Sequence, residues 1–243
     1  MKIEIYNSAH ELGKTAAKNA ARLLGKAIET NGAANIILAT GTSQFETLNQ
    51  LISENINWSK VTMFHLDEYI GLTITHPASF RKYLHERFIA KVNLKEVYLI
   101  NGEANPKQEC ERLEKLISQK QIDVALIGIG ENGHLAFNDP PADFETEEPF
   151  IIVELDEACR RQQMNEGWFN SLDEVPRKAI SMSVKQIMKS KNIICSVPGN
   201  RKATAIKNCM EHEVNNIYPA SILQAHKNCI VYLDKDSASL LSN

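Results

Sequence analysis

Short apolar runs alternate along the chain with longer stretches in which apolar residues return at helical spacing, and Gly, Pro or Asn marks most of the joints. "KIEIY", "NIILAT", "VTMFH", "VYLI", "DVALIGI", "FIIVEL", "NIICSV" and "IVYLD" predict strands. After the first of them, Ser8 and Glu11 stand in capping-box spacing and open a helix with Leu12, Ala16, Leu23 and Leu24 on its inner face. "QFETLNQLI" sets Phe45, Leu48, Leu51 and Ile52 on a second helical stripe. This order predicts an α/β fold over residues 1–243: a single-domain, mostly parallel sheet with helices on both faces, Rossmann-like and three-layered. Strands that read as continuous apolar runs suit a sheet covered on both faces, where the alternation of half-exposed strands is lost. No linker, repeat or low-complexity tract breaks the pattern.

A chain of 243 residues is long enough to bury a full core. Its 27 Lys and Arg against 30 Asp and Glu give a formal charge of −3 with no block of like charge, so nucleic acid and acidic membrane are not expected partners. No apolar run approaches the roughly 20 residues of a spanning helix, and the start "MKIEIYNSAHELG" lacks the apolar core of a signal peptide, so a cytoplasmic location is expected. Cys110, Cys159, Cys195, Cys209 and Cys229 are odd in number and form no CxxC pair, which argues against a zinc knuckle and a disulfide framework and predicts reduced, structural thiols.

Ligands of such sheets bind beyond the carboxyl ends of the strands, which directs attention to the loops after "NIILAT", "VTMFH", "DVALIGI" and "NIICSV". Gly41-Thr42-Ser43 precedes a helix and reads either as a helix cap or as an anion site of free amides and hydroxyls. Pro198-Gly199-Asn200 is followed by Arg201 and Lys202 at another helix start. Cations there oppose the helix dipole unless an anionic ligand reverses the sign, so the pair is either solvated surface charge or half of a phosphate site. In "FHLDEY", alternation sends Asp67 and Glu68 to opposite sides, so that one faces a cleft and the other anchors a loop.

"GIGENGHLAFNDPP" carries Gly128, Gly130 and Gly133 in GxGxxG spacing. A dinucleotide turn must open a helix, and Pro140-Pro141 lies too close behind Gly133 for one of normal length, so the nucleotide reading is rejected. What remains is a sharp turn presenting His134, with Asn132 before it and Asp139 after it, where a carboxylate is placed to fix the imidazole tautomer. No second histidine stands at i+2 or i+4, so a metal site is not expected.

Taken together, "LATGTS", "FHLDEYIGLTITHPASF", "GIGENGHLAFNDP", "VPRKAISMSV" and "GNRKATAI" resemble the glucosamine-6-phosphate deaminase (isomerase) family from about residue 8 to residue 241. The resemblance implies conversion of glucosamine 6-phosphate and water to fructose 6-phosphate and ammonia, with no metal or organic cofactor. By that likeness His134 assists opening of the pyranose ring and Asp67 carries a proton between C2 and C1. Thr40, Gly41, Thr42, Ser43, Gly133 and Lys202 match substrate-binding positions, most of them for phosphate. The chain departs from the family in three places: Asn132 replaces an aspartate, Asp139 a glutamate, and the arginine expected near an aromatic-Phe pair is unmatched in "CRRQQMNEGWF", where Arg160 or Arg161 is the substitute.

These departures leave galactosamine 6-phosphate or another aminosugar phosphate open as substrate. The ending "DKDSASLLSN" lacks the extension of larger allosteric members and suits a monomer or small homo-oligomer. Two rivals stand beside the deaminase reading: a 6-phosphogluconolactonase of similar fold, disfavoured by "AFNDP" and "LDEY", and a sugar-phosphate sensor, disfavoured because no basic helix-turn-helix segment is present.

Overall fold

The computed structural model describes residues 1–242. In chain order the elements are β1 (Lys2–Tyr6), α1 (Ala9–Asn31), β2 (Ala34–Leu38), α2 (Phe45–Leu51), β3 (Val61–His65), β4 (Asp67–Tyr69), α3 (Phe80–Arg87), β5 (Glu96–Tyr98) and α4 (Pro106–Ile117). They continue with β6 (Val124–Ile127), β7 (Phe150–Glu154), α5 (Glu157–Asn165), β8 (Lys178–Met182), α6 (Val184–Met188), β9 (Asn192–Val197), α7 (Ala203–Glu211) and β10 (Cys229–Asp234). Seven strands form one parallel sheet in the order β1-β10-β9-β6-β2-β3-β5. One apolar cluster packs on each face of it: Leu12, Ala16, Leu24, Leu48 and Leu51 from α1 and α2 on one side, Leu113, Ile187 and Ile206 from α4, α6 and α7 on the other. The expected three-layer fold is thus present. The Ser8 hydroxyl accepts from the Glu11 amide, but the Glu11 carboxylate closes on the Asn7 amide rather than on Ser8, so the capping box is shifted by one residue.

One part of the expectation needs correction. "FIIVEL" is a strand, β7, but it lies in a separate antiparallel sheet of order β4-β8-β7, together with "KAISM", which the apolar pattern alone does not reveal as a strand. β7 alternates, with Ile152 exposed between partly covered neighbours, because this small sheet is covered on one face only.

The strand order places the site. From β2 the chain winds outward through β3 to β5, then returns to lay β6 on the other side of β2. Loops leaving β2 and β6 therefore diverge and open a crevice at their carboxyl ends. Leu66 lies where the two sheets meet: its amide donates to Leu38 of β2, its carbonyl accepts from Met182 of β8, and β4 begins at the next residue.

Candidate active site

A cleft of about 580 Å3, counting its open mouth, lies over the carboxyl ends of β2, β3 and β6. The β2 loop supplies Thr40, Gly41, Thr42 and Ser43. It is held from below by Gln44, whose buried amide donates to Ser43 Oγ and to the carbonyls of Ile127 and Ser196, and from the side by Tyr83, whose hydroxyl donates to the Gly41 carbonyl. Lys202 enters from the β9 loop, which Asp234 braces by accepting from the Gly199 amide with both carboxylate oxygens. Arg201 turns outward to Glu131 at 3.4 Å, so of the two adjacent cations only Lys202 faces the cleft. The two loops together bring amides that have no acceptor among the described residues, hydroxyls and a single buried ammonium to one place, the makings of an anion site.

Asp67 and Glu68 divide as alternation predicts. Glu68 is wholly buried and accepts from the amides of Tyr69, Phe80 and Arg81 and from the Ser79 hydroxyl, which ties β4 to the start of α3. Burial pushes its carboxyl up, and those backbone donors pull it part of the way back. Asp67 turns the other way into the cleft and receives no hydrogen bond among the described residues. Burial above all, and then the Glu68 charge, raise its pKa from 3.8 to about 8.

His134 sits on the turn after β6. Its Nδ1 meets Asp139 Oδ1 at 3.0 Å, which leaves Nε2 as the nitrogen available to the cleft. Burial is the largest influence on Asp139 and acts upward. The hydrogen bond and charge of His134, with donors from Asn132 and the Asp156 amide, outweigh it and hold the carboxyl below its ordinary value. The imidazole lies flat on Gly130: a Cβ there would fall 2.3 Å from ring atoms Cε1 and Nε2. Asn132 does not reach the cleft. It accepts from the His134 amide and donates to Asp139 and Asp156, and so positions the pair rather than meeting a ligand. His134, Asp139 and Cys159 bring ligand atoms within 4.8 Å of one another. Burial first, then the Asp139 and Asp156 charges, drive the Cys159 thiol well above its usual value, so a thiolate ligand there would form only against that resistance.

Three expected binding residues lie elsewhere. Gly133 adopts φ +88 to make the turn, but its Cα faces Cys209 and Pro219 and its carbonyl accepts from Ala220. Arg160 donates to the carbonyls of Leu172 and Val175, and Arg161 pairs with Glu157 in solvent. The face that α5 turns inward consists of Cys159, Gln162 and Gln163, continued by Glu166, and the last three line the cleft. Their i, i+3, i+4, i+7 spacing was the signal available in the sequence; polar residue types hid it, because the stripe borders a cavity rather than the core. Gln162 Oε1 accepts from the Glu131 amide and its Nε2 donates to Glu166 Oε1, whereas the Gln163 amide has no partner among the described residues.

Asp67, His134, Gln163 and Lys202 are therefore only 6%, 7%, 7% and 8% exposed, and all open on one cavity. Burial lowers the Lys202 pKa, with the Glu166 and Glu131 charges acting against that shift. Buried polar groups without internal partners are rare, and Asp67, Gln163 and Lys202, which have none among the described residues, converge on one cleft with the free Nε2 of His134, marking a site whose hydrogen bonds a ligand completes.

The family model described as glucosamine-6-phosphate isomerases/6-phosphogluconolactonase matches residues 7–232. A glucosamine-6-phosphate deaminase of Lactobacillus delbrueckii subsp. bulgaricus is 38% identical over 99% of this chain and 100% of its own length. One from Oenococcus oeni is 36% identical over 100% and 99%. Among solved structures, a monomeric glucosamine-6-phosphate deaminase superposes with a TM-score of 0.89 at 34% identity, covering 99% of this chain and all of the other. A 6-phosphogluconolactonase from Trypanosoma brucei reaches 0.82 at 17% identity over 99% and 98%, a likeness of fold.

Proposed function

The chain belongs to the glucosamine-6-phosphate isomerase/6-phosphogluconolactonase family, and on that footing we propose that it converts glucosamine 6-phosphate and water to fructose 6-phosphate and ammonia. The observation that carries this reading is that a buried carboxyl, Asp67, and a buried ammonium, Lys202, line one cleft, neither with a side-chain partner among the described residues. An aminosugar phosphate completes both. Its phosphate takes the Lys202 ammonium and the amides and hydroxyls of Thr40, Gly41, Thr42 and Ser43, and its C1–C2 end reaches Asp67. His134 sits where Nε2 meets the ring oxygen, with Asp139 holding the tautomer and Asn132 holding Asp139.

Ring opening exposes the C1 aldehyde. The Asp67 carboxylate then removes the C2 proton, and the resulting acid returns it to C1. The C2 imine left behind is hydrolysed by water to the ketone, releasing ammonia. A base that must serve two neighbouring carbons profits from a rigid mount, which the hydrogen-bonded junction at Leu66 provides. The net change is an isomerisation with loss of ammonia, needing no organic cofactor, and we assign it to amino-sugar metabolism in the cytoplasm. A monomer or small homo-oligomer suffices, since every residue invoked comes from one chain.

The test is ammonia release from glucosamine 6-phosphate by the purified protein in the presence of a chelator. Wild type is expected to release ammonia and to exchange the C2 proton with solvent, Asp67→Asn to do neither, and His134→Gln to bind but open the ring slowly. Hydrolysis of 6-phosphogluconolactone without ammonia release would replace the reading by the lactonase one, and full turnover by Asp67→Asn would remove the base from its role.

A further inference from the structure

Building on the deaminase reading, we propose that Gln163 and Glu166 of the α5 segment read the sugar hydroxyls and set which C4 epimer of the aminosugar phosphate the site accepts. A hexose phosphate held at C6 by Lys202 and the Gly41 loop, and at C1–C2 by Asp67, spans the cleft with C3 and C4 between those anchors. α5 lines the cleft beside both anchors: Gln163 and Glu166 border it together with Asp67 and Lys202.

The donor and acceptor inventory then assigns the partners. A phosphate only accepts, so the Glu166 carboxylate repels it; a hydroxyl donates, and the carboxylate binds it. Glu166 is held for that contact by Gln162 Nε2 at 3.0 Å and Trp168 Nε1 at 3.4 Å. Gln162 is itself fixed to the Glu131 amide at 2.9 Å, so the reading face is tied to the turn that carries His134. Gln163 adds a buried amide, free to donate and to accept, with no partner among the described residues. A hydroxyl moved from equatorial to axial leaves both groups unsatisfied, and a site built on buried polar partners rejects such a mismatch far better than an apolar wall does.

The experiment compares kcat/KM for glucosamine 6-phosphate and galactosamine 6-phosphate in wild type, Gln163→Met and Glu166→Gln. Inhibition by inorganic phosphate is measured beside it, and thermal melts confirm folding. Each variant is expected to bring the ratio between the epimers about tenfold closer to one, and in Gln163→Met, which changes no charge, phosphate inhibition stays at the wild-type level; Lys202→Ala is expected to weaken phosphate inhibition and keep the ratio. A wild-type ratio near one, a ratio unmoved by both variants, or phosphate inhibition lost in Gln163→Met as in Lys202→Ala would overturn the proposal. Should wild type release ammonia from neither sugar, the deaminase reading fails on its own, and the same ratio is then taken from calorimetric binding of the two esters.

Discussion

At the scale of single residues, the cleft keeps an acid where an ordinary surface would keep an anion. With a folded pKa of about 8 against about 3.9 in an unfolded chain, Asp67 holds a proton in the native state throughout the window between those values. The native state then binds more protons than the unfolded one, so this group makes wild-type stability fall as pH rises from about 4 to about 8. Asp67→Asn removes that dependence. Its melting temperature is expected to exceed that of wild type most clearly above pH 8 and to converge with it towards pH 4, as calorimetric scans across pH would show. In the proposed role of base Asp67 must be ionised to act, so kcat/KM of wild type is expected to climb through an inflection near pH 8, and a flat profile from pH 6 to 9 would contradict the assignment. Adjacent Asp67 and Glu68 were legible as a pair with one member facing inward, since strand alternation demands it. Arg160 and Arg161 were not legible, because a guanidinium reads the same in sequence whether it meets a phosphate or the carbonyls of Leu172 and Val175.

Elements decide how closely these groups are held. The turn after β6 has no side chain at position 130, and the His134 ring fills the space so left. Gly130→Ala places a methyl group on that ring, which must swing off Asp139 to accommodate it; the ring is too rigid to yield locally. We expect kcat to fall about 100-fold with the fold retained, as steady-state kinetics and circular dichroism would check. The parallel strands and the helices α1 and α2 were legible because covered strands and amphipathic helices write their period in apolar residues. β8 and the inner face of α5 were not: in β8 Lys178 and Ser181 interrupt Ala179, Ile180 and Met182, leaving no apolar run, and α5 turns glutamines rather than leucines inward.

For the molecule as a whole, strand order matters more than any one loop. Placing β6 beside β2 brings residues 40–43, 67, 134 and 202 together from widely separated parts of the chain, and sequence alone told only that each followed a strand. Because Lys202 is buried and forms no ion pair among the described residues, a bound anion should stabilise the native state. Inorganic phosphate or a sugar phosphate at about 100 times its Kd is expected to add about 2.7 kcal/mol, a rise of roughly 5–10 °C in Tm. Lys202→Ala should abolish most of that rise in a thermal-shift titration. Leu66 joins the two sheets through its amide and its carbonyl. The two sheets grip the residue before Asp67 from opposite flanks, so slippage between them misaims the proposed base long before either sheet melts. Turnover should therefore fade at lower urea than the fluorescence of Trp58, packed beside α3, begins to change. The enzyme would act as its own strain gauge, with catalysis the first reading to drop.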